Sequence, residues 1–256
     1  MQLLSVVIIT FNEEAHIERC ILSVKGIADE VIVLDSLSTD KTVDIAQSYG
    51  AIVKQEKFKG YTEQKNLALS FASHNFILSL DADEALDETL RNEILRTKNS
   101  DNGKAYSMNR CTNYCGKFIR HGQWYPDKKI RLFDRRHAKW TGIDIHEQIE
   151  FSEKTDIIHL KGDILHYSYS SIEQHILKSN NFSTIAAGSL FRRGKRIHWM
   201  KLLINPFWSF IHAYFIRLGL LDGFYGFVIA IISSHYSFLK YSKLYHLQRK
   251  ANLEIS

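Results

Sequence analysis

The chain has 256 residues, of which 45% are hydrophobic and 24% are charged. That composition excludes a disordered protein, and the length is sufficient for one domain with a buried core plus an appendage. The formal net charge of +5 is mildly basic. Basic residues do not alternate with aromatic ones in the first half, so we expect no nucleic-acid partner. They gather near an aromatic C-terminal part, a pattern typical of contact with anionic lipid.

The cysteine content and the first residues indicate a protein of the reducing cytosol. Cys20, Cys111 and Cys115 are too few for a disulfide framework, and the last two lack the second ligand pair that structural zinc usually has. The N-terminal sequence has neither the basic region nor the cleavage site of a signal peptide. Its apolar run, residues 3–9, is too short to cross a bilayer.

Strands and helices are predicted to alternate through the first 100 residues. Apolar, β-branched runs predict strands at 5–10, 30–35, 51–55 and 76–80. Helical spacing predicts helices after Asn12, which would cap the first of them, and at about 43–50, 61–73 and 87–97. This alternation predicts an α/β fold with a mostly parallel sheet and helices on both faces. Beyond it we expect strands at 104–109 and 129–133 and a polar helix from Ser171 to about Gly188.

The fourth predicted strand ends in the most informative motif of the chain, Asp81-Ala82-Asp83. Open α/β sheets bind ligands at the carboxyl ends of their strands. Two carboxylates at that edge suit a hard cation such as Mg²⁺ or Mn²⁺, which keeps positions open for the oxygens of a diphosphate. The motif is degenerate when taken alone, because any junction between a strand and a turn can carry Asp.

Three other polar segments lie where a nucleotide would bind. Thr10, Asn12 and Glu13 follow the first strand, although a helix-capping box explains them equally well. Asp35 ends the second strand and suits a hydrogen bond from the imide N–H of uracil, or a helix cap. The tripeptide Gln64-Lys65-Asn66 lies inside a predicted helix, either in the site or on a solvated face.

The ordered set of motifs resembles glycosyltransferase family 2. The resemblance rests on residues 5–14 (SVVIITFNEE), 34–40 (LDSLSTD), 64–66 (QKN) and 80–83 (LDAD). It implies the GT-A fold, a Rossmann-like architecture that binds nucleotide sugars. Residues 122–127 (GQWYPD), 129–133 (KIRLF) and 140–147 (WTGIDIHE) are similar to a subgroup that contains bacterial lipopolysaccharide core β-glucosyltransferases. Leu37 departs from the wider family, which usually has Gly at this position.

The resemblance implies a division of the chain and a set of donor residues. Residues 1–100 would bind the nucleotide sugar, 101–190 would bind the acceptor and hold the catalytic group, and 191–256 would form a membrane-associated arm. The donor contacts carried over by position are Thr10, Asn12, Glu13, Asp35, Lys65 and Asp81. Asp83 would ligate Mg²⁺ or Mn²⁺ directly, with Asp81 and His146 as further contacts to the metal or the diphosphate. A cation there would neutralise the charge of the departing diphosphate.

The resemblance also implies where the catalytic base lies. Glu147 is the expected general base, because an inverting displacement needs a carboxylate that removes the proton of the attacking hydroxyl. Asp127 is the competing base. A surface pair at the end of a strand is the alternative explanation for His146 and Glu147.

The expected acceptor contacts are Trp124, Tyr125, Asp127 and Arg131. The two aromatic residues would stack on a sugar ring or form a small local core. Arg131 alternates with apolar neighbours on a predicted strand, so its charge should point away from the core, toward a phosphate or solvent.

The C-terminal part holds two apolar, aromatic segments, 202–216, which we expect to be broken at Pro206, and 224–239. Neither reaches the roughly 20 apolar residues of a comfortable spanning helix. Basic residues flank both segments, and their Trp and Tyr residues suit the headgroup level. We expect helices that lie in the cytoplasmic face of a membrane. A spanning hairpin, or a helical pair packed on the protein itself or on a second subunit, is the alternative.

These features together imply a peripheral glycosyltransferase at the cytoplasmic face of the inner membrane. It would move a hexose, with glucose from UDP-glucose preferred, onto a lipopolysaccharide inner-core sugar or another lipid-linked glycan. One alternative is a catalytically inactive membrane scaffold with the same fold. Another is a haloacid-dehalogenase-type phosphatase, which carries its Asp-x-Asp motif on the first strand rather than the fourth.

Overall fold

The computed structural model of the protein describes residues 2–99, 105–142 and 147–255. The strands in these ranges are β1 (Leu4–Thr10), β2 (Glu30–Asp35), β3 (Ile52–Gln55), β4 (Phe76–Asp81), β5 (Glu84–Leu86), β6 (Ala105–Tyr114), β7 (Lys117–Phe118), β8 (Asp127–Asp134), β9 (Ala138–Thr141), β10 (Gln148–Phe151) and β11 (Ile157–Tyr169). The helices are α1 (Ile17–Val24), α2 (Thr42–Ser48), α3 (Tyr61–Ser70), α4 (Glu88–Lys98), α5 (Ile172–Arg192), α6 (Lys201–Ile211) and α7 (Gly223–Ile255).

A nine-stranded sheet organises the fold, in the order β3-β2-β1-β4-β8-β6-β11-β5, with β7 paired to β6. The four strands β3, β2, β1 and β4 are parallel, and β8 joins antiparallel to β4 and to β6. A separate ladder pairs β9 with β10. In the parallel part Thr10 is level with Asp35, and Ile9 is level with Asp81. The polar residues that end these strands therefore meet at one edge of the sheet.

The first of two compact units contains Met1–Cys111 and Asp127–Tyr167. Its core lies on both faces of the parallel strands, because successive side chains of a strand point to opposite faces. Val6 and Ile8 belong to one apolar cluster, while Val7 belongs to the other. Burial on both faces is what a continuous apolar run predicts for a parallel strand covered by helices. The predicted α/β architecture is confirmed.

Most of the predicted elements in the first unit are confirmed, but the cap at Asn12 is wrong. Helix α1 begins at Ile17, and Asn12 adopts a left-handed conformation with φ of 53°. Its side chain is used elsewhere, because the Asn12 carbonyl oxygen accepts a hydrogen bond from the Thr39 backbone N–H at 2.8 Å. The short strands β5, β9 and β10 were not predicted.

The second compact unit contains Thr112–Pro126 and Ser168–Ser256. Helix α5 begins where predicted, and the Ser171 hydroxyl caps it by accepting from the Gln174 N–H at 3.1 Å. The division expected at residue 190 therefore falls inside α5. The break expected at Pro206 is wrong, since α6 continues through this residue. Pro206 lacks the N–H that would donate to the carbonyl four residues earlier, but the helix tolerates this loss of one hydrogen bond. This part of α6 is also held by α7, whose Ser234 hydroxyl donates to the Pro206 carbonyl at 2.9 Å.

The helices of the second unit differ in length and in apolar content. Among the described residues, none is by itself both long enough and apolar enough to cross a bilayer. By length and composition, the bent pair formed by residues 201–216 and 219–251 meets the requirement, with an angle of 70° between its two parts.

Candidate active site

Two cavities open in the first unit near the carboxyl ends of the parallel strands. The first has a volume of about 560 Å³ and is lined by Ile9, Thr10, Phe11, Glu13, Ser36, Lys57, Phe58, Tyr61, Asp81, Ala82, Asp83 and His166. The second has a volume of about 490 Å³ and is lined by Tyr61, Lys65, Asp81, Arg110, Lys128, Lys129, Ile130, Arg131, Trp140, Glu147, Gln148 and Ile149. Tyr61 and Asp81 line both, so the cavities adjoin at these two side chains.

Hydrogen bonds between two loops shape the first cavity. The Asn12 N–H donates to the Ser38 hydroxyl at 2.8 Å, and the Asn12 side chain accepts from Thr39. The Glu13 N–H donates to the Thr42 hydroxyl at 2.8 Å. Asn12 thus joins the loop after β1 to the loop after β2. Its predicted contact with the donor remains a prediction, and its observed role is to hold the two loops together.

Asp35 is fully buried beneath the same loops. Its carboxylate accepts hydrogen bonds from the Ser38 N–H at 2.9 Å and from the Gln55 amide at 3.0 Å, and also from the Ser38 hydroxyl. The predicted contact with uracil remains a prediction. In the structure as described, Asp35 fixes the conformation of the loop that follows it.

Leu37 occupies that loop with φ of 66°, in the left-handed region that favours glycine. This conformation gives a physical meaning to the departure noted in the sequence, since the wider family usually has Gly here. We expect Leu37→Gly to raise the free energy of unfolding by about 0.5–1 kcal/mol, because left-handed backbone costs a leucine about 1–2 kcal/mol and the greater freedom of unfolded glycine offsets part of that. Urea unfolding measures the change, and an equal or lower stability would contradict this reading.

Thr10 and Glu13 line the first cavity as predicted for donor contacts. The Thr10 hydroxyl is buried and has no hydrogen-bond partner among the described residues. The Glu13 carboxylate contacts the His16 ring at 2.6 Å. That hydrogen bond raises the pKa of His16 above its ordinary value, against the opposing effect of burial. Thr10 is therefore the better-placed group for a new hydrogen bond.

Asp81 is held by two cations. Its carboxylate lies 3.0 Å from the Lys65 ammonium and 3.0 Å from the Arg131 guanidinium. Burial opposes ionisation of Asp81, but these two charges outweigh it and hold its pKa well below the ordinary value. Asp81 is therefore a fixed anion between the cavities, and its charge is already compensated by protein groups.

Glu84 stabilises the contact between Asp81 and Arg131, and it was not recognised from the sequence. Its fully buried carboxylate accepts from Arg131 at 2.8 Å and from the backbone N–H of Asp81 at 3.0 Å. Arg131 is only 3% exposed, so the prediction that its charge points away from the core is wrong. Strand alternation places Arg131 on one face of β8, but that face is covered, and two carboxylates there stabilise the buried charge.

Asp83 is paired with a residue that sequence reasoning missed. Its carboxylate lies 3.1 Å from Nε2 of His166, and both line the first cavity. Burial opposes ionisation of Asp83, yet the hydrogen bond from His166 holds the pKa of this carboxyl below its ordinary value. Strand β11 brings His166 to this position, because His166 is level with Glu84 in the antiparallel pairing of β11 with β5. No local motif marks that pairing.

The donor set fits a divalent cation that takes further ligands from a bound diphosphate. Asp83 offers a carboxylate oxygen, the ligand type that Mg²⁺ and Mn²⁺ prefer, and His166 offers an imidazole nitrogen, a ligand type more common with later transition metals. Among the described residues there is no group of three or more His, Cys, Asp or Glu side chains arranged to hold a metal. His146, the other predicted contact, lies outside the described residues.

The second cavity separates the two candidate bases. Glu147 lines it, whereas Asp127 is not among its lining residues. Asp127 instead forms ion pairs with Arg110 at 2.8 Å and with Lys129 at 3.0 Å. Partial burial raises the pKa of the Tyr61 phenol, and the negative charges of nearby carboxylates, Glu147 among them, raise this pKa further. Glu147 is thus close to the wall that the two cavities share.

Lys65 of α3 and Trp140 of β9 lie together in the lining of the second cavity. The Lys65 ammonium lies 4.6 Å from the centre of the Trp140 ring. The Asn66 side chain accepts from the Trp140 N–H at 2.9 Å and donates to its carbonyl at 2.8 Å. Gln64 and Lys65 are buried and Asn66 is half-buried, and Lys65 lines the second cavity. The solvated-face alternative is therefore excluded for Lys65, which is 5% exposed.

Trp124 belongs to the second unit, where it packs in an aromatic cluster. Its ring stacks on Tyr169 at 5.1 Å and meets Tyr114 edge-on at 5.6 Å. Of the two alternatives from the sequence, local core packing describes Trp124. Tyr125 also lies in this unit, and its contact with an acceptor remains a prediction.

The family described as Glycosyl transferase family 2 matches residues 5–197. An uncharacterized glycosyltransferase of Rickettsia typhi is 38% identical over 98% of this chain and 89% of its own length. The lipopolysaccharide core biosynthesis glycosyltransferase LpsC of Rhizobium meliloti is 32% identical over 94% of this chain and 92% of its own. A solved complex of glucosyl-3-phosphoglycerate synthase from Mycobacterium tuberculosis with Mn²⁺ and UDP-glucose is 28% identical, with a TM-score of 0.37 over 44% of each chain.

The family match and the two sequence relatives agree on one class of enzyme. The chain belongs to glycosyltransferase family 2, because the family match covers most of it and relatives align along nearly its whole length. The resemblance seen in the sequence motifs and the expected GT-A fold are confirmed. The protein is a glycosyltransferase, and the phosphatase alternative is excluded.

Proposed function

We propose that the protein transfers a hexose from a UDP-hexose, with UDP-glucose as the preferred donor, to a lipopolysaccharide inner-core sugar or another lipid-linked glycan. The transfer inverts the anomeric configuration and is assisted by Mg²⁺ or Mn²⁺. The observation that carries this proposal is the pair of cavities that adjoin at Tyr61 and Asp81. One holds the candidate metal ligands, and the other holds the candidate base.

The first cavity suits the nucleoside diphosphate. Thr10 and Glu13 line the part formed by the loop after β1, and Asp83 and His166 line the part next to β5. These last two residues would hold the divalent cation, which when bound neutralises the developing charge on the diphosphate. Lys65 and Arg131 fix the Asp81 carboxylate between the donor and the acceptor.

The second cavity suits the acceptor. Glu147 lines it with no ion pair to another described residue, unlike Asp127, so its carboxylate is free to accept a proton from an acceptor hydroxyl. The base lies in one cavity and the leaving diphosphate in the adjoining one. Attack by the acceptor hydroxyl and departure of the diphosphate are therefore separated in space. An inverting displacement needs this separation, since a single carboxylate takes the proton and no covalent sugar intermediate forms.

Support for the class of acceptor comes from LpsC, which is named as a lipopolysaccharide core biosynthesis glycosyltransferase and aligns over 94% of this chain. The experiment that tests the proposal combines purified protein, Mn²⁺ and a panel of UDP-hexoses with deacylated core oligosaccharide. Mass spectrometry should show the gain of one hexose with UDP-glucose, and NMR of the product should show a β-linkage. A product with retained configuration, or no product with any UDP-hexose, would overturn the proposal.

We also propose that the second unit attaches the enzyme to the cytoplasmic face of the inner membrane. Helix α6 leaves large apolar side chains exposed, among them Phe207 at 69% and Trp208 at 57%. The segment from 202 to 216 carries no Asp, Glu, Lys or Arg, while basic residues at 192–196 precede it. An apolar face beside basic residues fits insertion among the headgroups of anionic lipid.

Vesicle binding tests this attachment. We expect the double substitution Phe207→Ser and Trp208→Ser to reduce binding to vesicles of anionic lipid by at least about tenfold, because each buried aromatic contributes roughly 1.5–3 kcal/mol. Ile52→Ser is a matched control, since Ile52 is an exposed apolar residue of the first unit. Sedimentation with vesicles measures the change. Equal binding of the double variant and wild type would contradict the assignment.

A further inference from the structure

The second cavity carries more positive than negative charge. Its cationic lining residues are Lys65, Arg110, Lys128, Lys129 and Arg131. Its anionic lining residues are Asp81 and Glu147. A neutral acceptor sugar has no charged group to pair with these cations. Binding such a sugar would remove water from the cations without giving them an anionic partner, which is unfavourable. Protein carboxylates neutralise some of these cations, and the others remain available to bind a ligand.

Two of the cations belong to the donor side of the cavity. Lys65 is paired with Asp81, and Arg131 lies between Asp81 and Glu84. Their charges are matched by these two buried or half-buried carboxylates. They stabilise the Asp81 position and leave no uncompensated charge for a ligand.

The other three cations have fewer carboxylate partners, and Asp127 is the partner of two of them. Arg110 and Lys129 contact the two oxygens of Asp127, at 2.8 Å and 3.0 Å respectively. The Arg110 contact with Glu84 is longer, at 3.5 Å, and Glu84 is already bound to Arg131. Lys128 is exposed and has no ion pair within the described part of the chain. Arg110, Lys128 and Lys129 thus form a cluster with excess positive charge, which we call the basic cluster.

We propose that the basic cluster binds an anionic substituent, a phosphate or a carboxylate, of the acceptor glycan. This inference rests on the proposed function, in which the second cavity receives the acceptor. Nε and Nη2 of Arg110 are bound to Asp127, so Nη1 of Arg110 and the two lysine ammonium groups are the donors that would bind either oxyanion. The cluster would select acidic glycans over neutral ones of the same shape.

The spacing of residues along β8 gives the distance between Lys128 and the wall shared with the donor cavity. Lys128 precedes Arg131 by three residues on β8, and strands rise about 3.3–3.4 Å per residue, so the two backbone positions are about 10 Å apart. Arg131 contacts Asp81, at the wall shared with the donor cavity. The Lys128 end of the basic cluster is therefore the more distant from this wall, whereas Arg110 is near it through its 3.5 Å contact with Glu84.

Binding of simple sugars tests the basic cluster without turnover. Wild-type protein is saturated with UDP and Mn²⁺, and glucose, glucuronate and glucose 6-phosphate are titrated by calorimetry. At least one anionic sugar should bind about tenfold more tightly than glucose, the size of one charge-assisted contact. Tighter binding of glucose 6-phosphate identifies phosphate as the preferred group, and tighter binding of glucuronate identifies carboxylate.

Matched charge reversals assign the effect to the cluster. Lys128→Glu should remove the preference for anionic sugars. Lys161→Glu, which makes the same change at an exposed position of β11 that lines neither cavity, should retain it. Equal binding of the three sugars by wild type would overturn the proposal, as would a preference that survives in Lys128→Glu or disappears equally in Lys161→Glu.

Failure of this inference is distinguishable from failure of the proposed function. If UDP does not bind, the donor assignment fails, but the same sugars titrated without UDP still report on the basic cluster. If core oligosaccharide is glucosylated yet the three sugars bind equally, the proposed function stands and the anion subsite is wrong.

Discussion

Glu147→Gln should lower the rate of hexose transfer by about a thousandfold, within the range that a general base contributes, while UDP binding is unchanged. The substitution keeps the shape of the side chain but removes its ability to accept a proton from the acceptor hydroxyl. Glu147 lines the second cavity and not the first, so the donor contacts should be retained. Transfer to core oligosaccharide and thermal stabilisation by UDP measure the two quantities separately.

Asp127→Asn is the matched control for this prediction. Asp127 is bound to Arg110 and Lys129, so its neutralisation should affect acceptor affinity through these cations rather than remove the base. We expect KM for the acceptor to change more than kcat. If Asp127→Asn loses kcat while Glu147→Gln retains it, the base has been assigned to the wrong carboxylate.

Arg131→Met should lower the free energy of unfolding by about 3 kcal/mol or more, the usual result of removing one partner of a buried ion pair. The guanidinium is buried between Asp81 and the fully buried Glu84, and both carboxylates raise its pKa further despite the opposing effect of burial. Without it, the one cationic partner that Glu84 keeps among the described residues is the more distant Arg110, at 3.5 Å. Urea unfolding measures the loss.

Arg96→Met is the control for the charge removed. Arg96 forms an exposed pair with Glu93 on α4, at 2.7 Å and with 79% of its side chain accessible. Exposed pairs contribute about 0–1 kcal/mol, so little change is expected. A loss at Arg131 no larger than the loss at Arg96 would show that the buried network does not stabilise the first unit.

The parallel part of the fold was predictable because its signals are local. Buried parallel strands read as continuous apolar runs, and β1, β2 and β4 all have them. The position of Asp81 and Asp83 followed from the end of the fourth such run. In this part of the fold, the residue types and their order along the chain identify each strand and its end, so the sequence was sufficient.

The partners of these carboxylates were not predictable, since they come from distant segments. His166 reaches Asp83 only through the antiparallel pairing of β11 with β5, and β5 is a three-residue strand without a recognisable pattern. Arg131 reaches Asp81 through the pairing of β8 with β4. Strand alternation predicted the face of Arg131, but it does not say whether that face is covered.

Other residues were recognised correctly as polar members of the site but with different local contacts. Asn12 was expected to cap a helix and instead joins two loops, because its left-handed backbone turns the chain before α1 begins. Asp35 ends its strand as predicted, but it is buried by Ser38 and Gln55. Short-range patterns indicate that such residues make hydrogen bonds, whereas their partners depend on how the loops pack.

The most direct test of the donor site is thermal stabilisation of the full chain by UDP, ADP and GDP, with and without Mn²⁺. A ligand that binds the native state raises its stability by mass action, by about 2.7 kcal/mol at a concentration one hundred times Kd. We expect UDP to give the largest shift, only with Mn²⁺, and Asp83→Ala to lose it while remaining folded. Equal shifts by all three nucleotides, or a UDP shift that Asp83→Ala retains in full, would contradict a metal-assisted UDP site at Asp83 and His166.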